Sequence, residues 1–160
     1  HGDGLMLHGA ACISAGTGLV LVGLSGAGKS TFAQGLSDSL YLSDDIAIID
    51  RLSSLPRLVP SPFHGALGRL GADADAPLGG IAILEHGEEE TLLTPLPAAK
   101  AVSALLRHVV CFGHDQTLAE AILDLVIKLV QCVPVFSLRR SLLDGAETVC
   151  ERLRVAGAAR

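Results

Sequence analysis

The 160-residue sequence has few aromatic residues and no surplus of basic charge. Aromatic residues make up 3% of the chain and tryptophan is absent, so the side chains on which single-stranded nucleic acids usually stack are scarce. The formal net charge is −5, whereas a nucleic-acid surface usually carries an excess of Lys and Arg. We therefore expect no nucleic-acid partner.

Long apolar runs and paired cysteine motifs are also missing. A membrane span needs about 18 uncharged apolar residues, but the longest candidate, "AILDLVIKLVQCVPVF", contains Asp124, Lys128 and Pro134. The four cysteines lie far apart without a Cys-x-x-Cys pair, which favours buried reduced thiols over a zinc or redox site. With no signal peptide visible, we expect a cytoplasmic protein with no membrane partner; because His1 is not Met, a region upstream is left open.

Aliphatic residues supply most of the 49% hydrophobic content, which is typical of a sheet buried under helices. Aliphatic runs predict strands, within residues 4–14, 18–23, 41–50, 79–87 and 133–138. Helical patterns follow, at about 29–40, 94–108, 114–132 and 144–154, with Thr94 as an N-cap before Pro95 and a Thr117–Glu120 capping box. Residues 51–78, rich in Pro and Gly, predict a loop region. The whole, residues 1–160, is expected to be one α/β domain.

The stretch "GLSGAGKSTF", residues 23–32, has the spacing of a phosphate-binding loop. Its glycines allow several backbone N–H groups to point at one phosphate. Lys29 is expected to contact the terminal phosphates, and Ser30 to offer its hydroxyl to a magnesium ion that bridges them. A predicted strand before the loop and a predicted helix after it make a chance glycine-rich turn a poor explanation.

Asp44 and Asp45 follow Ser30 by only 14 and 15 residues. Two adjacent carboxylates can divide their roles, one holding a metal while the other accepts a proton. His8 lies fifteen residues before Gly23, on the strand predicted to lie beside the strand of the loop. A solvated turn for the acids and a core position for the histidine are the alternatives, but the combination favours a catalytic site. The residues alone leave open which acid is the base.

The run "LHGAACISAGTGLVLVGLSGAGKSTFAQGLSDSLYLSDDIAII" resembles the catalytic domain of HPr kinase/phosphorylase. The loop "GLSGAGKST" is also similar to "GLSGTGKTT" of ATP-dependent phosphoenolpyruvate carboxykinase, which shares that fold. The specific match covers about residues 7–50. "SPFHG", which contains His64, and "PLGGIAILEHGEE" are similar to later landmarks of small HPr-kinase-like proteins.

This resemblance implies a PEP carboxykinase/HPr kinase-like P-loop domain with a mixed central sheet and flanking helices. It implies an ATP-dependent kinase that uses Mg²⁺ or Mn²⁺ to phosphorylate a hydroxyl, of the serine type, on a protein, peptide or small molecule. The implied roles are nucleotide binding by Gly23, Ser25, Gly26, Ala27, Gly28, Lys29, Ser30 and Thr31, metal binding by Ser30 and Asp44, and catalysis by Asp45 as base with His8 and Asp44. The family forms hexamers, so the resemblance also allows a homo-oligomer.

One segment departs from the family pattern. Where the family has an "EIRGLG"-like signature, this chain reads "PLGGIAIL", without the Glu and the Arg. For the family's catalytic arginine, the candidates here are Arg51, Arg57 and Arg69. The departure supports a second interpretation, a nucleotide-binding sensor or regulatory module of the same fold without transfer activity.

Overall fold

The computed structural model describes residues 2–37, 40–63, 65–85, 90–113, 115–141 and 143–159. Within these ranges the chain forms a mixed sheet of eight strands with four helices, so the predicted α/β class is confirmed. The strands are β1 (Leu5–Ser14), β2 (Thr17–Gly23), β3 (Tyr41–Ser43), β4 (Ile46–Asp50), β5 (Arg57–Val59), β6 (Ala76–Glu85), β7 (Leu92–Pro95) and β8 (Val135–Arg139). The helices are α1 (Lys29–Gln34), α2 (Ala98–Leu106), α3 (Gln116–Cys132) and α4 (Ala146–Ala158).

The strand order is β2-β1-β4-β5-β6-β8-β7, with β3 paired to β1 and a further pairing between β2 and β6. The two ten-residue strands make this possible because each changes neighbour along its length. The first part of β1 pairs with β4 and its second part with β2. Similarly, β6 begins beside β5 and continues beside β2 and β8.

Three strands at the centre, β2, β6 and β8, run parallel to one another. Gly23 at the end of β2 lies opposite Leu84, and Glu85 at the end of β6 lies opposite Arg139. The carboxyl ends of these strands therefore share one edge of the sheet. In open α/β sheets this is the edge at which ligands bind, and it is where the glycine loop leaves β2.

Helices cover both faces of the sheet, which explains the unbroken aliphatic run of β2. Leu19 and Leu21 pack toward α1 and α4, while Val20 and Val22 belong to the core under α2 and α3. All four side chains are fully buried. A strand buried on both faces has no position at which a polar residue would reach water.

A two-residue turn joins β1 to β2. Ala15 and Gly16 have φ angles of 47° and 75°, and Ser14 faces Thr17 across the strand pair; two consecutive positive φ angles are characteristic of the tight turns that close β-hairpins. The turn sets the register in which Gly9 lies opposite Val22. His8 therefore reaches the level of the glycine loop, as the strand prediction expected.

Several predicted boundaries were wrong. Thr94 and Pro95 belong to β7, so they do not cap α2, whose N-cap position is Pro97. The N-cap of α3 is Asp115, whose side chain accepts a hydrogen bond from the Leu118 N–H, and this replaces the expected Thr117–Glu120 box. Strand pairing with β8 delays the start of α2, and an acid earlier in the chain than Thr117 sets the start of α3.

Two further segments differ from expectation. Helix α1 ends at Gln34 and is followed by Gly35, instead of continuing to about residue 40; residues 38 and 39 lie outside the described ranges. Residues 51–78 are not wholly loop, because they contain β5 and the beginning of β6, which pair with each other. Short strands of this kind carry little periodic signal in a Pro-rich sequence.

The cysteines divide into two pairs. Cys12 and Cys150 are buried, as expected, whereas Cys111 and Cys132 are exposed. Among the described helices, none is long and apolar enough to cross a membrane.

Candidate active site

The loop between β2 and α1 follows a tightly curled path. Gly26 and Gly28 have φ angles of 81° and 99°, a left-handed region that favours glycine over residues with a Cβ. The Ala27 N–H donates to the Leu24 carbonyl at 3.1 Å and closes a turn inside the loop. The glycines are therefore required by the path of the chain.

Lys29 is folded back into this loop and is only 8% exposed. Its Nζ donates to the carbonyl oxygens of Gly23 at 2.7 Å and of Leu24 at 3.1 Å. Burial lowers the pKa of Lys29, while the negative charge of Asp45 opposes that shift. An ammonium group has three donors, so the two carbonyl bonds hold the charge in place and leave a donor for an anion in the loop.

Asp45 and His8 form a pair beside the loop. His8 Nδ1 lies 3.2 Å from Asp45 Oδ1, and their side chains are 49% and 36% exposed. Backbone bonds fix both residues, because the Gly9 N–H donates to the Asp45 carbonyl and the His8 N–H to the His108 carbonyl. The carboxylate is thus oriented by an imidazole while still open to solvent.

Ser43 prepares the turn that presents Asp45. Its Oγ accepts from the N–H groups of Asp45 and Ile46, each at 3.2 Å. A serine that bonds the backbone two and three residues ahead is a common local turn device. It fixes the change of direction between β3 and β4.

Asp44 has a different environment from its neighbour. It is 5% exposed, and its Oδ1 accepts from the Tyr41 hydroxyl at 2.7 Å and from the Gly65 N–H at 3.1 Å. Its Oδ2 accepts from the Leu67 N–H at 3.1 Å. Burial, together with the hydrogen bond from the Tyr41 hydroxyl to Asp44, raises the pKa of Tyr41 well above its usual range. Asp44 therefore anchors the segment 65–67 against the site.

These elements enclose a cavity of about 320 Å³. It is lined by most of the residues expected from the sequence, namely His8, Ser25, Gly26, Gly28, Lys29, Ser30, Thr31, Asp44 and Asp45, and in addition by Gly65 and Ala66. Gly23 and Ala27, also expected, line a separate cavity. The fold thus brings together residues that are up to 58 positions apart in the sequence (His8 to Ala66).

The donor set fits a metal ion that arrives with a nucleotide. In the part of the chain that the structure describes, no cluster of three or more His, Cys, Asp or Glu forms a metal cage. Mg²⁺ in nucleotide sites usually takes one or two protein oxygens and completes its shell with phosphates and water. The Ser30 hydroxyl and the Asp44–Asp45 pair face the same cavity, so they match that requirement.

The three candidate arginines lie elsewhere. Arg57 pairs with Asp75, and Arg69 donates to the carbonyls of Ala33 and Leu36 while stacking on Tyr41 with its guanidinium carbon 4.4 Å from the ring centroid. None of the three, Arg51 included, is among the described residues that line the cavity. His64 lies outside the described residues.

Sequence reasoning missed the supporting residues Tyr41 and Gly65. The signal for Gly65 was weak, because only the packing shows that a Cβ there would lie 2.6 Å from the Asp44 carboxylate. It also missed two cations that line the second cavity, Lys100 on α2 and Arg107 at the C-cap of that helix.

Comparisons with known proteins place the chain only distantly. No protein-family model matches the sequence, and no curated protein matches it either. Among solved structures the chain is similar to the Hpr(Ser) kinase/phosphatase from Coxiella burnetii, with 12% sequence identity and a TM-score of 0.41 over 76% of this chain and 87% of that chain. This is a distant structural relationship, so the function must be argued from the site itself.

Proposed function

We propose that the protein is a kinase that transfers the terminal phosphoryl group of ATP to a hydroxyl group. The expected acceptor is a serine-type hydroxyl on a protein, peptide or small molecule. The observation that carries the proposal is that Asp45 and His8 share one cavity with Lys29 and Ser30 of the glycine loop. A phosphate loop alone suits many activities, but transfer to a hydroxyl also needs a carboxylate placed to accept the proton.

Asp45 is the better base of the two acids. A base needs an oxygen that an incoming hydroxyl can reach, and the Asp45 side chain is 36% exposed. Asp44 is buried and already accepts three hydrogen bonds, one of them from Tyr41. Its role is to hold the 65–67 segment, and it also lines the cavity, where it would contribute to holding a metal ion.

The reaction follows from these positions. The acceptor O–H gives its proton to Asp45, whose carboxylate His8 holds in orientation. The acceptor oxygen forms a bond to the γ-phosphorus while the bond to the bridging β-oxygen breaks, and ADP leaves with that electron pair. Lys29 and the loop N–H groups stabilise the charge on the phosphates. Ser30 and Asp44 would hold a Mg²⁺ ion, which would supply further charge neutralisation.

Asp45→Asn tests the proposal. The variant should transfer phosphate at least about 100-fold more slowly because it cannot take the proton, while MgATP affinity stays close to that of the wild type. Transfer is measured with γ-labelled ATP and a pool of acceptors, and affinity by calorimetry. Asp50→Asn is the matched control, because Asp50 is an exposed acid on β4 outside the site. Equal transfer by wild type and Asp45→Asn would contradict the assignment of the base.

The sensor alternative has one observation in its favour. None of Arg51, Arg57 and Arg69 is among the described residues that line the cavity, and arginine often supplies a large part of phosphoryl-transfer catalysis. Under this alternative the wild-type protein binds MgATP but releases no ADP with any acceptor pool. Labelled product from the wild type excludes it.

A further inference from the structure

A second cavity, of about 580 Å³, adjoins the glycine loop and has other lining residues than the cavity of the acid pair. The loop contributes Gly23 and Ala27 to its wall, β6 contributes Glu85, and α2 contributes Lys100 and Arg107. Most of the remaining wall is apolar. The two cavities therefore share the glycine loop as part of their walls.

We infer that this second cavity holds the ribose and base of the nucleoside triphosphate, an inference that rests on the proposed function. The first cavity, of about 320 Å³, must take the phosphates and the acceptor hydroxyl. The nucleoside has to leave the loop in another direction. A cavity of about 580 Å³ falls within the roughly 300–1,000 Å³ of ordinary small-molecule sites.

The polar groups of the cavity suit a nucleoside joined to phosphates. Arg107 precedes His108, whose carbonyl oxygen accepts a hydrogen bond from the N–H of His8 at 2.7 Å. Burial and the nearby charges of Lys29, His8 and Arg107 also lower the pKa of His108. The Arg107 end of α2 is therefore the end near the phosphates, where a guanidinium pairs well with a phosphate oxygen. Glu85 offers carboxylate oxygens that can accept from ribose hydroxyls, a use of acidic side chains known in other nucleotide sites.

The length of the cavity follows the face of α2. Lys100, Ser103 and Arg107 all line it, at helical spacing that places them on one side of α2. Seven residues of helix separate the two cations, or about 10 Å at 1.5 Å per residue. The base would lie along this face, against apolar neighbours such as Ile83 and Ala104.

An acceptor molecule fits this cavity less well. Its hydroxyl must contact Asp45, and Asp45 lines the first cavity together with His8. The described lining of the second cavity contains neither of them. The occupant of the second cavity is thus the part of the nucleoside triphosphate that contacts the loop but does not reach the general base Asp45.

The test separates the nucleoside from its phosphates. ATP and inorganic tripolyphosphate, each with Mg²⁺, are titrated by calorimetry into wild type, Ser103→Trp and Ala99→Trp. Ser103 and Ala99 are exposed residues that line the cavity, so an indole there fills it without disturbing the core. Ala98→Trp is the matched control, because Ala98 is exposed on the same helix but does not line the cavity.

We expect both cavity variants to bind ATP about tenfold more weakly or worse, since the buried contacts of the nucleoside are lost. Their affinity for tripolyphosphate should not change. Ala98→Trp should change neither affinity. Unchanged ATP affinity in both cavity variants, with tripolyphosphate still bound, would overturn the inference but not the kinase proposal. Equal weakening of both ligands would also overturn it, because the cavity would then serve the phosphates. Wild-type protein that binds neither ligand would overturn both proposals.

Discussion

Gly26 and Gly28 show how single residues shape the glycine loop. A Cβ added at Gly26 would meet no atom within 4 Å, so the glycine is there for its positive φ angle and not for lack of space. An L-residue in that conformation costs roughly 1–2 kcal/mol. Gly23 is the opposite case, because its Cβ would lie 2.8 Å from the Leu84 carbonyl oxygen. Gly26 and Gly28 thus permit the curl of the loop, and Gly23 permits the close contact with β6.

Lys29→Ala is the prediction that belongs to this scale. The variant should bind MgATP about 10- to 100-fold more weakly, because a charged hydrogen bond contributes about 1.5–3 kcal/mol. Calorimetric titration measures the change. Lys128→Ala is the control, since Lys128 is exposed on α3 and away from the loop. Wild-type affinity in Lys29→Ala would rule out the loop as the phosphate site.

The segment 65–69 shows how elements are coupled around the site. The N–H groups of Gly65 and Leu67 bond to Asp44, and Arg69 bonds to carbonyls at the end of α1. One stretch of loop therefore links the acid pair to the helix that follows the phosphate loop. The position of this segment requires a glycine at residue 65, because a Cβ there would lie 2.6 Å from the Asp44 carboxylate.

Gly65→Ala should displace this segment. The added methyl group cannot share space with the carboxylate, so Asp44 loses backbone donors at a cost of about 1–3 kcal/mol. Hydrogen exchange at the Leu67 amide should accelerate, and thermal unfolding should occur at a lower temperature. Ala66→Ser serves as control at the neighbouring exposed position. Exchange at Leu67 that is equally slow in both variants would contradict the coupling.

At the scale of the whole molecule, the first and last elements meet in the core. Cys12 of β1 and Cys150 of α4 lie with their Sγ atoms 3.3 Å apart, and both are buried. The contact with Cys150, together with burial, raises the pKa of the Cys12 thiol. A buried thiol with a raised pKa is a poor nucleophile, so its reactivity reports opening of the whole fold.

Thiol counting tests this description. With a disulfide reagent such as dithionitrobenzoate, Cys111 and Cys132 should react at once in the native protein because they are exposed. Cys12 and Cys150 should react only at the rate of unfolding, and all four should react in denaturant. Rapid reaction of more than two thiols in the native protein would show that β1 and α4 separate easily.

Prediction from the sequence was most successful where the signal is local. The glycine loop, the strand before it and the helix after it lie within about 18 residues, and hydrophobic alternation with glycine spacing is enough to place them. Prediction failed where a distant partner decides. Thr94 and Pro95 look like the start of a helix, but pairing with β8 makes them a strand.

The sequence by itself determined the place of the glycine loop, the α/β class and the nearness of His8 to the loop, because these depend on backbone conformation and on a tight hairpin. Only the tertiary structure decided how the two acids differ. Asp44 is enclosed by Tyr41 and a loop more than twenty residues away, whereas Asp45 faces His8 and solvent. It also decided that Arg107 lines a second cavity beside the glycine loop. Such differences arise from contacts between segments far apart in the chain, and no local pattern records which segments will meet.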